Sequence, residues 1–407
     1  MAKFRLLMWG DGMFDNPFFA GMVIFAIFAF SEWLSIVSRA RIPMLFTAMM
    51  VYLILLWLGV IPKDISQKAY FLPFASLLPA LLIVHMGTLI PFEQIKEQYK
   101  AILISLAGIT VATLLIFATV VPLFDYTTAA SGIGPLTGGT IAFIITAEKL
   151  TELGLVDLIT VPAAIIAVQG LIGMPLANFF LRRRGKKIVK ALRENQAKAE
   201  IAATVEQSTG VAANKKEKRV LLPKKYQTNI ILLFQVFIGA TLAVFLESVT
   251  GISYSLWALA IGIIGSYFGF YVGTIMERAN SFGVLMALLI VLIISSLNDV
   301  TPSMFTSHLP AIITILGVGV IGILIGGYFT SKFFKWDPDK GVPVALTALI
   351  GFPGDYILCE EVSRSVGKTE EEQKAIFNEI ITPMLIGGFT TVTVASVVIA
   401  GILMSTL

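Results

Sequence analysis

Two short segments, one in each half of the chain, combine helix-breaking glycines with a carboxylate. Residues 138–154 read GGTIAFIITAEKLTELG, and residues 351–367, which begin 213 positions later, read GFPGDYILCEEVSRSVG. At this offset Gly138 aligns with Gly351, and Glu148 aligns with Glu361. In a membrane-embedded chain, duplicated and glycine-interrupted segments of this kind are the best sequence indication of a binding site for an ion or a solute.

Glycines and prolines should interrupt the helices of both segments deep in the protein. An unpaired backbone N–H or C=O group in lipid costs several kcal/mol, so such breaks persist only where protein buries them or water reaches them. We predict a hairpin tip in each half, with one helix starting near Thr140 and another near Asp355. The positive ends of these two helices would favour an anionic group between them. The predicted breaks are Gly132, Gly134, Pro135, Gly138 and Gly139 in the first half, and Gly351, Pro353 and Gly354 in the second.

Side chains beside the tips offer oxygen atoms, the ligands that a hard cation such as Na+ prefers. Thr137 and Thr140 can contact Na+ or a substrate carboxylate; alternatively, their hydroxyls bond only to the backbone. Asp355 has two interpretations, as a cap on its own helix or as a ligand for a cation or a substrate amino group. We predict Na+ at Thr140 and Asp355. The predicted substrate or ion site as a whole comprises Thr137, Gly138, Gly139, Thr140, Gly351, Pro353, Gly354 and Asp355.

Three further charged residues lie on the arms that return from the tips. Glu148 and Glu361 follow the breaks by seven or eight residues, which is about 11 Å of helix. An ionisable side chain within a membrane is a functional hypothesis by default. Alternatively, these carboxylates pair near the surface with Lys149 or Arg364, the latter lying three residues after Glu361. We treat Glu148, Glu361 and Arg364 as candidate charged partners of the site.

The composition requires a membrane environment for the elements that position these residues. Of the 407 residues, 57% are hydrophobic and only 14% are charged, and the mean hydropathy is +0.86. A soluble domain of this size does not need such a composition to fill its core. We predict ten apolar spans, at residues 17–37, 43–61, 70–91, 101–124, 156–181, 228–247, 252–275, 281–297, 308–331 and 375–404.

A basic stretch in the middle of the chain predicts the topology. Residues 182–225 contain fourteen Lys or Arg and four Glu, as expected of a cytoplasmic connector. We therefore divide the chain into a membrane repeat over 1–181, a basic cytoplasmic linker over 182–226 and a second membrane repeat over 227–407. Counting spans from this linker leaves both termini outside. Contact of this linker with anionic lipid is an alternative to a purely solvated connector. We expect membrane lipid, but no nucleic acid, as a partner of the protein.

The same count of spans predicts that each glycine-rich segment is a re-entrant hairpin. The first, at about 126–154, must enter and leave from outside, and the second, at about 342–367, dips in from the cytoplasm. The predicted fold is thus an all-α polytopic membrane protein with two inverted repeats of five transmembrane helices, each with one hairpin. The alternative is that 342–367 crosses the membrane fully.

Two classes of site are disfavoured by the residues themselves. No HExxH, GxSxG or P-loop pattern occurs, so we predict that the protein is not an enzyme. Cys359, His85 and His308 are the only cysteine and histidines, too few and too scattered for a metal site of nitrogen or sulfur ligands. We expect no cofactor beyond a coupling ion.

Gly138-Gly139-Thr140 and Gly351-Phe352-Pro353-Gly354 partially match the GGxG-type loops of a transporter family. Together with the topology, they make the chain resemble the glutamate:sodium symporters and their sodium:citrate relatives over nearly its whole length. Asp355 and Tyr356 depart from the small-residue run of that family. The resemblance implies an elevator-type motion, a homodimer held by scaffold helices, and Na+ coupling.

The predicted function is sodium-coupled symport of a small organic anion, glutamate or another carboxylate, across the cytoplasmic (inner) membrane by alternating access. One alternative is a proton-coupled transporter of the same fold, in which Glu148, Asp355 or Glu361 carries the proton. Another is an uncoupled channel or exporter.

Overall fold

The computed structural model describes residues 12–90, 98–205, 221–295, 297–298, 301–302 and 308–407, and for residues 140, 141, 195–205 and 394 it describes the backbone only. Throughout these residues the regular structure is helical. Seven helical segments are long and apolar enough to cross a membrane, and three shorter apolar helices accompany them. These ten segments fall at the ten predicted spans, as expected of a polytopic membrane protein.

The helices of the first half lead from a long span to a hairpin and then to the longest helix of the described chain. After a short 3-10 turn at Met13–Asp15, they are α1 (Pro17–Val37), α2 (Met44–Trp57), α3 (Ile65–Lys68), α4 (Phe71–Ala75), α5 (Leu78–Leu89), α6 (Tyr99–Leu123), α7 (Tyr126–Leu136), α8 (Thr140–Glu152) and α9 (Thr160–Val205).

The second half contains a similar series of helices in the same order. They are α10 (Asn229–Thr250), α11 (Tyr254–Tyr267), α12 (Ile275–Arg278), α13 (Phe282–Ser295), α14 (Leu309–Phe333), α15 (Pro338–Ile350), α16 (Gly354–Val366), α17 (Glu370–Phe389) and, after a π-helical turn at Thr390–Ala395, α18 (Ser396–Ser405).

The local backbone of the two halves also recurs at a nearly constant spacing. α2 and α11 each have 14 residues, and α3 and α12 each have four. The loops that follow α2 and α11 turn at Gly59 and Gly269, which are 210 residues apart and both have positive φ, 67° and 79°. Tyr70 and Asn280, also 210 residues apart, both adopt positive φ as well.

The helices form two bundles. We call α6–α9 with α14–α18 the hairpin bundle, and α1–α5 with α10–α13 the short-helix bundle. In the hairpin bundle α6 packs along α14, and α15 packs against α6, α9 and α14. In the short-helix bundle α5 packs along α11, and α10 packs against both. The bundles meet chiefly where α2 contacts α9 and α16.

Small residues let the central helices of each bundle approach closely. A Cβ added at Gly322 of α14 would lie 2.4 Å from Cα of Ala112, and one at Gly326 would lie 2.8 Å from Cα of Gly108. These residues recur at four-residue spacing on both helices, the pattern by which membrane helices pack without a hydrophobic driving force. The α5–α11 contact is equally tight, since a Cβ at Gly262 would lie 2.2 Å from the carbonyl oxygen of Val84.

Several predicted boundaries differ from the observed ones. α7 continues through Gly132, Gly134 and Pro135, so these residues do not form the break. The two glycines instead allow close packing, because a Cβ at Gly132 would lie 2.7 Å from Ile315, and one at Gly134 would lie 3.0 Å from Ala400. Helix α9 passes without a stop through position 182, and it is helical as far as Val205.

Candidate functional site

Both predicted hairpin tips line a single cavity between the two bundles. The cavity has a volume of about 460 Å³, which lies within the usual range for small-molecule sites. The hairpin bundle contributes Gly138 and Gly139 from one tip and residues 351–354 from the other. The short-helix bundle contributes residues from α2, α5, α11 and α13.

The wall from the short-helix bundle reflects the repeat of the chain. Pro79 and Ile83 of α5 line the cavity, and so do Leu289 and Ile293 of α13, which lie 210 positions later. The cavity therefore lies where corresponding parts of the two halves face each other.

The first tip follows α7 and consists of Thr137, Gly138 and Gly139. The two glycines have φ of 101° and 99°, values that side chains rarely adopt. A Cβ at Gly138 would lie 2.6 Å from the carbonyl oxygen of Ala348, and one at Gly139 would lie 2.3 Å from the carbonyl oxygen of Val392. Both positions thus require glycine for two reasons: the positive φ of the backbone, and the short distance to a neighbouring backbone carbonyl.

The second tip meets the first across the π-helical turn at Thr390–Ala395. A Cβ at Gly351 would lie 3.4 Å from Cγ2 of Val392, and one at Gly138 would lie 2.8 Å from the same atom. Val392 and Thr393 of this turn also line the cavity. π-helical turns within α-helices occur frequently at functional sites.

Each tip is followed by a helix whose N-cap residue provides no side-chain cap. Gly139 precedes α8, Pro353 precedes α16, and neither position has a capping hydrogen bond from a side chain. The first N–H groups of a helix have no partner within it, and they carry the positive end of its dipole. The cavity thus has two helix N-termini at its wall, which favours a negatively charged group.

Asp355 lies behind the second tip and not on the cavity surface. Its side chain is fully buried, and its Oδ1 accepts a 2.7 Å hydrogen bond from the N–H of Tyr356. Oδ2 has no hydrogen-bond partner in the described structure and lies against the backbone of Gly388, where an added Cβ would be 2.6 Å away. The N-cap of α16 is Pro353, and Asp355, in the first turn, makes a capping-type contact with an N–H of its own helix.

The polar side chains of the cavity are uncharged. Gln169, in the third turn of α9, is 6% exposed, and its Oε1 has no hydrogen-bond partner among the described residues. Ser253, Tyr254 and Ser255 at the start of α11 and Thr393 complete the set. No Asp, Glu, Lys, Arg or His of the described chain lines the cavity.

Glu361 joins the two bundles at the end of the molecule that carries most of the basic residues, which we call the basic end. Its carboxylate accepts hydrogen bonds from the Ser35 hydroxyl and from the N–H of Met44, the first residue of α2, at 2.9 Å. Glu361 therefore caps α2 from the other bundle. α9 holds the same loop, because Asn178 Nδ2 donates to the Ala40 carbonyl at 2.6 Å and Arg182 donates to the Arg39 carbonyl.

The corresponding turn at the opposite end is not held in this way. Tyr254, which begins α11 as Met44 begins α2, donates its N–H to Glu247 of its own bundle at 3.0 Å. Glu148, the counterpart of Glu361, is exposed. Within the described structure, Glu148 has neither a side-chain hydrogen bond nor an ion pair. Only the basic end is thus fastened across the bundle interface by these residues.

Five of the eight predicted site residues, Gly138, Gly139, Gly351, Pro353 and Gly354, line the cavity. Thr137 is buried and donates its hydroxyl to the carbonyl of Gly134 at 2.8 Å. The side chain of Thr140 lies outside the described part. Of the candidate charged partners, Arg364 pairs with Glu32 at 3.5 Å, and neither it, Glu148 nor Glu361 lines the cavity.

Sequence reasoning missed Gln169, the residues 253–255 and the π-helical turn. Gln169 follows the six apolar or small residues AAIIAV, and a lone amide in a span is the available signal. The serines and Tyr254 gave no local signal, because their place at the cavity depends on how the bundles meet.

The fold and the cavity define a polytopic helical membrane protein with an uncharged, solute-sized site between two bundles. No protein-family model matches the sequence. No curated protein matches it either.

Proposed function

We propose that the protein is a secondary active transporter that couples the uptake of a small organic anion to Na+ by an elevator-type alternating-access mechanism. One observation carries the proposal: two glycine-containing turns, one from each half of the chain, bring the N-termini of α8 and α16 to one cavity at a bundle interface. This is how broken helices bind anionic substrates in secondary transporters.

The proposed topology has two inverted repeats with re-entrant hairpins. In its support, both ends of the first hairpin, at Asp125 and Gly154, line one surface cavity, while its tip lies at the central cavity. The second hairpin begins at the basic end, where Asp337 binds Lys187 at 2.9 Å, and it returns there at Ser365, which accepts from Arg182. We assign the basic end to the cytoplasm by its charge.

Asp355 is the proposed coupling residue. A buried carboxylate without a cationic partner costs several kcal/mol, which a bound Na+ would offset. The Oδ2 of Asp355, which is unpartnered in the described structure and lies against the backbone of Gly388, is the kind of oxygen ligand that a hard cation prefers. A proton bound to the same carboxylate would also neutralise it. The burial of Asp355 without a cationic partner among the described residues therefore also favours proton coupling, which is the second candidate.

The proposed motion is a displacement of the hairpin bundle against the short-helix bundle, which would form a homodimeric scaffold. Support comes from the narrow interface, in which α2, α9 and α16 make the main contacts. The tight α5–α11 and α6–α14 contacts keep each bundle rigid, so relative movement would occur between the bundles.

The test is uptake of radiolabelled carboxylates into proteoliposomes, with an inward gradient of Na+, of H+ or of neither. Accumulation that depends on the Na+ gradient at constant pH is expected. Accumulation driven by H+ alone would support the proton-coupled form. Flux that only equilibrates the solute would contradict coupled transport and indicate a channel or an uncoupled carrier.

A further inference from the structure

We infer that the transported anion is a monocarboxylate with an apolar body and one uncharged hydrogen-bonding group, such as a 2-hydroxy or 2-oxo acid, and that Gln169 recognises this group. The inference rests on the proposed transport function and narrows its substrate. It separates this protein from a carrier of glutamate or of a dicarboxylate.

The charge of the cavity matches one carboxylate. Each helix N-terminus is equivalent to roughly half a positive charge, and α8 and α16 provide two such ends. The carboxylate of Asp355 accepts from the N–H of Tyr356 in the first turn of α16, and the proposed coupling ion neutralises its charge. No cationic side chain of the described chain lines the cavity. A second carboxylate would therefore be desolvated without compensation, which costs several kcal/mol.

The cavity also offers no anionic group to an α-ammonium. Asp355 is the nearest carboxylate to the second tip in sequence, but it is fully buried and does not line the cavity. An amino acid would thus lose the hydration of its ammonium group without gaining an ion pair. Binding of glutamate would be disfavoured for both reasons, because glutamate carries an ammonium group and a second carboxylate.

Gln169 is the second, independent indication of a ligand. The residue is only 6% exposed, and its Oε1 lacks a hydrogen-bond partner in the described structure. A buried polar atom left unpaired is destabilising, so such atoms normally have a partner. The amide can donate and accept, which suits a hydroxyl or a carbonyl oxygen equally.

Apolar side chains form the rest of the wall and fit a hydrocarbon body. They come from both bundles and include Ile83, Leu289, Leu292, Ile166, Phe352 and Phe389. Burial of each methylene group is worth about 0.8 kcal/mol. Affinity should therefore rise with the length of the substrate chain until the cavity is filled.

The experiment is competition for Na+-driven uptake by a panel of short aliphatic monocarboxylates, their 2-hydroxy and 2-oxo derivatives, matching dicarboxylates, and glutamate. A 2-hydroxy or 2-oxo acid should compete best, with an apparent affinity about 3- to 10-fold above that of its unsubstituted parent. The panel needs no variant, so the result stands even if substitutions unfold the protein. The same panel is repeated by thermal shift in NaCl and in KCl.

Gln169→Leu should remove the preference for each 2-hydroxy or 2-oxo acid over its unsubstituted parent acid, so that the two compete equally. Gln235→Leu is the matched control, because Gln235 is also a buried amide with an unpartnered oxygen in the described structure but does not line the cavity. This control should keep the ratio of wild type.

Two outcomes would overturn the inference: stronger competition by glutamate or a dicarboxylate than by any monocarboxylate, or equal weakening of both members of each pair by Gln169→Leu. Uptake or binding of none of these carboxylates, in either salt, would instead overturn the proposed function itself.

Discussion

Asp355 places a fully buried carboxylate beside the point where the second hairpin turns. Because its Oδ2 lacks a partner in the described structure, this oxygen is available to an ion. Asp355→Asn keeps the shape of the side chain and removes the charge. Loss of a charged interaction worth about 1.5–3 kcal/mol should lower apparent Na+ affinity about 10- to 100-fold.

Na+ titrations of uptake, together with the thermal unfolding midpoint, measure this effect. Asp157→Asn, at an exposed carboxylate on the opposite end, serves as the control and should behave like wild type. An Asp355→Asn protein that transports with unchanged Na+ dependence would mean that the carboxylate has only a local structural role.

Gly139 illustrates a second kind of residue, one that is needed for its lack of a side chain. Gly139→Ala would strain a backbone with φ of 99°, at about 1–2 kcal/mol, and would also press Cβ against the carbonyl of Val392 at 2.3 Å. We expect the tip to shift, with loss of transport and a clearly lower unfolding temperature.

Gly154→Ala is the matched control for this substitution. Gly154 also has positive φ, 73°, but a Cβ there would meet nothing within 4 Å. It should cost only the backbone strain and keep transport. Equal effects of the two alanines would show that packing at the tip is unimportant.

At the scale of elements, Glu361 fastens helix α16 to the start of α2 across the bundle interface. Glu361→Gln removes the charge from the bonds to Ser35 and Met44, and so should loosen the basic end. In a protein with Cys359 replaced, Leu45→Cys should then react several-fold faster with a thiol reagent.

Glu372→Gln is the control for this substitution, since Glu372 pairs with Arg193 inside the hairpin bundle at 2.7 Å. Unaltered labelling in Glu361→Gln would contradict a fastening role.

The hairpin formed by α7 and α8 makes a topological prediction. Thr127→Cys and Thr151→Cys, on its two arms, should both react with a membrane-impermeant reagent from one side. Lys190→Cys, whose side chain is 78% exposed at the basic end, should react only from the other side. Labelling of the two threonine positions from opposite sides would mean that the segment crosses the membrane.

The positions of most helices follow from the sequence because apolar length and glycine breaks are local signals. The start of α8 at Thr140 and of α16 at Gly354 agrees with the predicted tips. The span predicted at 43–61 is too long, since α2 ends at Trp57 although the apolar run continues into the loop. Gly132 and Gly134 were taken for breaks because sequence does not distinguish a glycine that bends a helix from one that lets helices touch.

The cavity itself was less accessible to sequence reasoning. Its glycine-rich tips could be predicted, but Gln169 and Ser255 reach the cavity from different bundles, an arrangement that no local pattern encodes. The sequence predicts Glu361 as a charged partner of the site, but its observed partners, Ser35 and Met44, lie more than 300 positions away in the chain.

At the scale of the whole molecule, the two ends differ although the halves repeat. Glu361 accepts a hydrogen bond from the start of α2 at the basic end. In the described structure Glu148 makes no corresponding contact at the opposite end. Under alternating access the ends should exchange these roles, with Glu148 binding the first turn of α11 near Ser253 and Tyr254. Labelling of Ser255→Cys should therefore fall when Na+ and substrate are added.

Glu148→Gln should abolish this protection and slow uptake. Glu152→Gln, one turn further along α8 and paired with Lys149 at 3.8 Å, should leave both unchanged. Protection that persists in Glu148→Gln would mean that another group closes this end.

Helix α9 is longer than a membrane span requires. Its 46 residues extend about 69 Å at 1.5 Å per residue, more than twice the roughly 30 Å of a hydrocarbon layer. One part of this helix carries Gln169 at the cavity wall, and the rest continues past the basic end. If the hairpin bundle moves as proposed, a small tilt of α9 would displace its far end by a larger distance. A fluorophore or spin label near Lys190 should then report the proposed motion from a position away from the cavity.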